Sequence, residues 1–108
     1  MAIAQDMGIR DFEAIIRDSQ VPVIVDFWAN WCAPCKAMEP MLDEICGLLG
    51  EKVQLVKVNV DEDRQIAIRY HVQSLPTLLV FEKGRPVDSI SGVPPRYNLV
   101  NRIQKHLL

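Results

Sequence analysis

The sequence predicts an α/β fold in which a mixed β-sheet of four or five strands carries helices on both faces. Short apolar runs typical of buried strands alternate along the chain with segments whose apolar residues recur at helical spacing. The pair Lys83-Gly84 separates two strand segments and predicts a tight hairpin. The hairpin adds antiparallel pairing to the parallel pairing that alternation favours, which makes the predicted sheet mixed.

The first third of the chain contains the strand on which the predicted sheet is centred. Residues 2–5 are either a short edge strand or a loose tail. Apolar residues at helical spacing predict a first helix over residues 9–18. Residues 23–28 are apolar on both faces apart from Asp26, as in a central strand that is covered on both sides.

A long helix is predicted next. It begins near Pro34, because proline is tolerated in a first helical turn, and Gly50 ends it. Pro40 removes one backbone donor inside this helix, so a kink is expected there. Its buried stripe is predicted to comprise Met38, Met41, Leu42, Ile45, Leu48 and Leu49.

The second half repeats the alternation. It predicts a strand at 53–60, a helix at 62–70 with Asp61 as its N-cap, strands at 77–81 and 87–91, and a last helix at 95–107. Within the first of these strands, Lys57 lies on the face opposite Val56 and Val58.

Composition narrows the class of protein. The 108 residues suffice for one domain with its own core, and the net charge of −2 argues against a nucleic-acid partner. No apolar run approaches the roughly 20 residues that a membrane span requires, so no membrane association is expected. The first residues lack the features of a signal peptide. A mature protein from which a targeting segment had been removed would also lack them. Three cysteines fit a disulfide framework poorly, so a reducing, cytoplasmic setting is expected.

Cys32 and Cys35 stand where the central strand gives way to the long helix. A helix start exposes unpaired N–H groups and its dipole favours negative charge, so a thiolate is stabilised there. The thiolate is the nucleophilic form, so Cys32, preceding the helix and exposed, is expected to attack a disulfide. Cys35, inside the first turn against the core, is expected to be the resolving thiol.

Asp26 is the most informative residue after the cysteines. A carboxylate in a central apolar strand is poorly solvated, which raises its pKa. It is interpreted as a general base for Cys35; the alternative is a partly exposed aspartate at a strand end with a salt-bridge partner. Lys57, from a neighbouring strand, is its candidate charge partner, unless Lys57 is a solvated surface lysine.

Other sulfur and imidazole groups give no second site. Cys46 follows Cys35 by eleven residues, roughly 16 Å along a helix, too far for a disulfide or shared ligation. Cys46 is expected to pack as a small hydrophobe. His71 and His106 stand alone. A metal-binding module built on Cys32 and Cys35 therefore lacks further ligands.

The motifs of this chain together resemble those of the thioredoxin family, and the resemblance covers essentially the whole chain. The matching residues are Val25-Asp26-Phe27-Trp28-Ala29, Trp31-Cys32-Ala33-Pro34-Cys35-Lys36, Pro40, Lys57, Asp61, Leu75-Pro76-Thr77, Phe81, Gly84 and Gly92. The resemblance implies one domain over residues 1–108, with a central five-stranded mixed sheet flanked by four helices. Ala33 departs from the pattern, because the family most often has glycine there.

The resemblance also implies the roles of individual residues. Asp26 is the proton acceptor for Cys35, through water, and Lys57 modulates Asp26. The Leu75–Pro76 peptide bond is expected to be cis and to face the cysteines. An apolar substrate-binding surface around Cys32 would comprise Trp31, Ala33, Pro34, Leu75, Pro76, Gly92 and Val93.

The function implied is that of a protein-disulfide reductase, a monomeric electron carrier in cell redox homeostasis. Its partners would be thioredoxin reductase and disulfide-containing substrate proteins, and its redox-active disulfide Cys32–Cys35 would need no further cofactor. Two alternatives stay open, an oxidant or isomerase on the same fold and a non-catalytic interaction domain. The retention of Cys32, Cys35, Asp26 and Pro76 argues against the second.

Overall fold

Strands and helices alternate along most of the chain. The structure is a computed structural model that describes residues 8–107. The elements in order are α1 (Gly8–Asp18), β1 (Val23–Trp28), α2 (Ala33–Leu49), β2 (Gln54–Asn59), α3 (Arg64–Arg69), β3 (Thr77–Glu82), β4 (Arg85–Ser91) and α4 (Arg96–Lys105). A short 3-10 turn, Gly50–Lys52, leads from α2 into β2. Every helix and strand predicted for these residues is present, with bounds shifted by a few residues.

The sheet is mixed, as predicted. Over residues 8–107 it has four strands in the order β2-β1-β3-β4, in which β1 pairs parallel with β2 and antiparallel with β3. β3 and β4 form the expected hairpin, where Lys83 and Gly84 have φ of 53° and 84°. Positive φ at both central residues is what a tight two-residue hairpin turn requires. The segment 2–5, the candidate for a fifth strand, lies outside the described residues.

The antiparallel pairing of β1 with β3 differs from the parallel pairing that alternation favours. β2 leaves the sheet at Asn59, beside Trp28, and the connection that follows contains only the six-residue helix α3, which advances the chain by about 9 Å, compared with about 20 Å for a six-residue strand. The chain re-enters the sheet at Thr77, opposite Phe27 at the end where it left, so β3 runs antiparallel to β1.

Helices cover both faces of the sheet and bury two cores. On one face, α1 and α3 pack against a cluster that includes Val25 and Phe27 of β1. On the other face, α2 and α4 pack against a cluster that includes Ile24. Because side chains alternate along a strand, Asp26 points to the same face as Ile24 and lies under α2. This position decides the chemistry of the site.

α2 is one continuous helix through Pro40, and it ends at Gly50, whose φ of 57° and N–H bond to the Cys46 carbonyl close the last turn. Its buried side chains include Cys46, as predicted. Leu48, predicted in the buried stripe, is 77% exposed. The prediction was wrong because two residues turn a helix by about 200°, which places Leu48 on the side away from Cys46.

Candidate active site

The cysteine pair joins the central strand to the long helix. Cys32 is the N-cap of α2, with extended backbone angles (φ −92°, ψ 101°), and the Cys35 N–H donates to its Sγ at 3.2 Å. The two cysteines form a disulfide with a Cα–Cα distance of 5.3 Å. The structure thus represents the oxidised form of a pair whose first sulfur receives an N–H of the first helical turn, as the sequence predicts.

Cys32 is less exposed than expected. It is 4% exposed and Cys35 is 3% exposed. Both belong to a small cluster with Ala29, against which Trp28, Val60 and Leu75 pack. The disulfide therefore lies just beneath the surface.

Asp26 is buried behind the pair. It is 2% exposed, and its Oδ1 has no hydrogen-bond partner among the described residues. Burial raises its pKa from the ordinary value of 3.8 to about 7, an effect that the Lys57 charge opposes and that the charges of Glu39 and Asp43 reinforce. The alternative of an exposed strand-end aspartate is wrong. A carboxyl with this proton affinity can accept and release a proton near neutral pH.

A cavity of about 380 Å³ connects Asp26 with the pair. Its lining residues are Asp26, Trp28, Asn30, Cys35, Lys36 and Glu39. The indole Nε1 of Trp28 is also buried without a hydrogen-bond partner among residues 8–107. Two residues that line this cavity thus each have an unpartnered polar atom, one acceptor and one donor, which a bound water molecule could satisfy. A larger hollow of about 1040 Å³ lies at the other end of the sheet, between Pro22 and α4, and holds no cysteine.

Lys57 is buried beside Asp26 in the sheet. It is the register partner of Asp26 across the parallel β1–β2 pair. Its Nζ lies 3.1 Å from Glu39 Oε2 and 2.8 Å from Asp43 Oδ1, both on α2. Burial is the largest influence and lowers the pKa of Lys57, but the neighbouring carboxylates of Asp43 and Glu39 together raise it by more. The alternative of a solvated surface lysine is wrong.

Glu39 and Asp43 were not predicted as site residues from the sequence. Their spacing of four residues on a predicted helix was the available signal, since such residues lie on one side of a helix. What the sequence could not show was that this side faces Lys57, because that depends on how α2 lies across β2.

The predicted substrate-binding residues differ in exposure. Trp31 is 70% exposed and Val93 is 44% exposed; Ala33 and Pro34 are also exposed, while Leu75 and Gly92 are half-buried. Pro76 is buried, so its ring adds little to an apolar surface. The Leu75–Pro76 bond is cis, as the resemblance implies, and the Gly92 N–H donates to the Pro76 carbonyl at 2.9 Å. The end of β4 therefore lies against the start of β3.

Asp61 accepts a hydrogen bond from Trp31 instead of capping α3. The Trp31 indole N–H donates to Asp61 Oδ2 at 2.9 Å, and the Asp61 N–H donates to Asn59 Oδ1 at 2.9 Å. The N-cap of α3 is Asp63. The prediction was wrong because the chain first turns back on itself, and the N–H groups of Glu62 and Asp63 donate to the Asn59 carbonyl.

The third cysteine and the histidines lie outside the site. Cys46 is a buried free thiol in the cluster beneath α2 and α4, and burial raises its pKa to about 11. His106 was expected to stand alone, but its Nδ1 lies 3.2 Å from Glu82 Oε2 and its Nε2 lies 3.0 Å from Asp88 Oδ2. The fold brings the end of α4 beside β3 and β4, which sequence spacing does not show.

Residues 8–107 contain neither a cluster of metal ligands nor a membrane-spanning helix. No group of three or more histidine, cysteine, aspartate or glutamate side chains in this range is placed to hold a metal ion. No helix in the same range has the length and apolar character needed to cross a membrane.

A cysteine pair that caps a helix directly after the central strand of a mixed sheet, with a buried carboxyl behind it, defines a class of thiol–disulfide oxidoreductases. The family model described as Thioredoxin matches residues 5–105. The chain belongs to the thioredoxin family, and it is a protein-disulfide reductase that acts through a Cys-x-x-Cys pair.

Individual relatives agree with this assignment. The chain is 40% identical to Thioredoxin 1 of Synechococcus elongatus over 107 residues, which are 99% of this chain and 100% of that protein. It is 42% identical to Thioredoxin 1 of a Nostoc species with the same coverage. Among solved structures, the thioredoxin of Plasmodium falciparum is similar with a TM-score of 0.88 and 32% identity, covering 98% of this chain and 99% of that one.

Proposed function

We propose that Cys32 is the nucleophile and Cys35 the resolving thiol of this reductase, with Asp26 as the proton acceptor. The observation that carries the proposal is the cavity lined by both Cys35 and Asp26, a carboxyl whose Oδ1 has no hydrogen-bond partner among the described residues, next to the helix-capping Cys32. These three groups supply an attacking thiolate, a second thiol and a base.

The reaction starts from the dithiol form. The Cys32 thiolate attacks a substrate disulfide, forms a mixed disulfide, and releases one substrate thiolate, which takes a proton from solvent. Cys35 then gives its proton to Asp26, and its thiolate attacks Cys32 Sγ. The second substrate thiolate leaves as the Cys32–Cys35 bond closes. Two electrons have passed from the protein dithiol to the substrate disulfide, and Asp26 releases its proton to solvent.

The Asp26 carboxyl is suited to this step by its environment. Its pKa of about 7 lets the ionised form take a proton from Cys35 and the neutral form return it to water. The cavity has room for a water molecule between Asp26 and Cys35, so the proton can pass through water. Lys57 modulates Asp26 through its charge, since it lowers the pKa of the carboxyl.

The substrate surface proposed around Cys32 comprises Trp31, Ala33, Pro34, Leu75, Pro76, Gly92 and Val93. The exposure of Trp31 and Val93 supports it, because exposed apolar side chains beside a reactive group are typical of a protein-binding surface. Leu75 packs against the cysteine cluster and would offer its backbone to an extended substrate strand. Because the ring of Pro76 is buried, Pro76 contributes to this surface through the position of its backbone.

We also propose the cellular setting. A pair that must be returned to the dithiol form needs a reductase, here thioredoxin reductase, and no cofactor beyond the disulfide itself. The free thiol of Cys46 fits a reducing, cytoplasmic compartment in which the protein carries electrons. We propose a monomer with one domain over residues 1–108; the Cα radius of gyration of 12.6 Å is that of one compact domain. Neither nucleic acid nor membrane is proposed as a partner.

The test is insulin disulfide reduction with dithiothreitol as electron donor. The wild-type protein is expected to accelerate precipitation of the insulin chains, and Cys32→Ser is expected to lose this activity. Cys46→Ser is the matched control and should retain the wild-type rate. If wild type is inactive, or if Cys32→Ser is as active as wild type, the assignment of the nucleophile is wrong.

Removing the Asp61 side chain should weaken substrate binding. In Asp61→Ala the indole of Trp31 loses its hydrogen bond, worth about 1 kcal/mol, so KM for a protein disulfide should rise about fivefold with kcat unchanged. Trp31 fluorescence anisotropy should fall as the ring gains freedom. Glu62→Ala, at the next exposed position, is the control. Equal KM values for the two variants would contradict a role for Asp61.

A further inference from the structure

Glu39 occupies a position between the active-site cavity and the buried lysine. Its Oε2 lies 3.1 Å from Lys57 Nζ, and the residue lines the cavity together with Asp26 and Cys35. About half of its side chain is exposed, 53%. Glu39 is therefore in contact with solvent, with the cavity and with the ammonium of Lys57.

The charges that face Asp26 come from two elements. β2 contributes Lys57, the register partner of Asp26. α2 contributes the carboxylates of Glu39 and Asp43, the sulfur groups of Cys35 and Cys46, and Lys36, which lines the cavity and is exposed. β3 contributes the apolar Leu78 opposite Asp26. Lys57 is the buried cation that pairs with Glu39 and Asp43, and its charge also acts on Asp26.

Glu39 and Asp43 both hold Lys57, but their positions differ. Asp43 Oδ1 lies 2.8 Å from Nζ and is not among the residues that line the cavity. Glu39 lines the cavity and reaches solvent. A change at Glu39 therefore alters the field at Asp26 while Asp43 still holds the ammonium in place.

We propose that Glu39 is a positioning residue for the reaction: by pairing with the Lys57 ammonium, it sets the pH range over which Asp26 accepts a proton from Cys35. The inference rests on the proposed role of Asp26. Glu39 touches neither cysteine in this mechanism and acts through Lys57 and through its own charge.

The direction of the effect follows from the signs of the charges. The carboxylate of Glu39 disfavours a second negative charge on Asp26, and it also competes for the ammonium that would favour one. Both actions keep the proton on Asp26 to higher pH. Without Glu39, Asp26 would ionise at lower pH and would hold the proton from Cys35 less strongly.

The test compares Glu39→Gln with Glu44→Gln. Glu44 is also an exposed glutamate of α2, but its partner is Arg96, and neither residue lines the cavity. The Asp26 carboxyl is titrated by carbon-13 NMR in both variants, and the rate of insulin reduction is followed over the same pH range. Glu39→Gln should shift the Asp26 titration and the acidic limb of the rate profile down by about half a pH unit. Glu44→Gln should leave both in place.

The double variant Asp26→Asn/Glu39→Gln separates this inference from the proposed function. If Glu39 acts through Asp26, the double variant should have the same rate profile as Asp26→Asn. An Asp26 titration that is unmoved in Glu39→Gln, or moved equally in Glu44→Gln, would overturn the inference and leave the role of Asp26 intact. An Asp26→Asn variant with the wild-type rate profile would instead overturn the proposed base, and the inference with it.

Discussion

Replacing Cys35 with serine is expected to lower the rate of insulin reduction at least about a thousandfold, because the hydroxyl cannot supply the second thiolate. The first step survives, since Cys32 keeps its position at the N-terminus of α2 and would receive the N–H of residue 35. The variant should therefore accumulate as a mixed disulfide between Cys32 and the substrate, at one substrate chain per protein.

The measurement is mass spectrometry of the variant after incubation with a disulfide peptide, followed by mapping of the modified cysteine. Cys32→Ser should form no such adduct. Cys46→Ser/Cys35→Ser should trap as much peptide as Cys35→Ser, because Cys46 is buried in a separate cluster. An adduct on Cys46, or none on Cys32, would contradict the division of roles between the two cysteines.

Replacing Asp26 with asparagine should stabilise the oxidised protein in a pH-dependent way. The folded-state pKa of Asp26 is raised to about 7 from 3.8. The folded state therefore keeps a proton that the unfolded chain has lost, and this contribution is fully present below about pH 4 and is lost as pH rises past about 7. The free energy of unfolding should thus rise on substitution by about 3–4 kcal/mol more at about pH 8 than at about pH 4.

Urea unfolding at the two pH values measures this difference, and Asp88→Asn is a control of opposite sign. The hydrogen bond from Arg102 holds the pKa of Asp88 well below its usual range. Asp88 therefore stabilises the fold above its ordinary pKa and loses this contribution as pH falls, so Asp88→Asn should be destabilised at about pH 8. If Asp26→Asn gains no stability at the higher pH, Asp26 is not a buried carboxylate there.

The same Asp26→Asn variant should reduce insulin more slowly near neutral pH. A general base typically contributes about a hundredfold or more, so a loss of at least about tenfold is expected near pH 7. At higher pH hydroxide can take the proton of Cys35 in place of Asp26, so the difference in rate between the wild-type protein and Asp26→Asn should shrink. Stability and rate would then change in opposite directions, which a variant that merely perturbs packing would not do. An unchanged rate from about pH 6 to about pH 9 would remove the base role of Asp26.

The sequence identified the parts of the site that depend on local structure. Cys32 and Cys35 follow a strand pattern and open a helix pattern, and Asp26 interrupts an otherwise apolar strand. Each of these signals lies within a few residues, because helix ends and buried strands have characteristic residue preferences and spacing in the local sequence. The same reasoning predicted the order of the helices and strands and the Lys83-Gly84 hairpin.

The parts that were missed depend on how distant segments meet. Glu39 contacts Lys57 only because α2 crosses β2 at one particular angle and height. Asp61 looked like a helix cap, because the distant Trp31 that it binds cannot be seen in a local pattern. The antiparallel pairing of β3 depends on the end of the sheet at which the chain re-enters after α3. Leu48 was misplaced because it lies two residues, about 200° around α2, from the buried Cys46.

An equilibrium redox titration of the Cys32–Cys35 pair tests the central claim, that this protein is a reductant. Oxidants of this kind stabilise the reduced form of the pair, chiefly its thiolate. Here the carboxyl of Asp26 lies in the cavity with Cys35 and disfavours further negative charge. The midpoint potential against a dithiothreitol couple should lie below about −220 mV, the upper end of the cytosolic glutathione range. A midpoint of about −180 mV or higher, where isomerases and oxidants lie, would contradict the account.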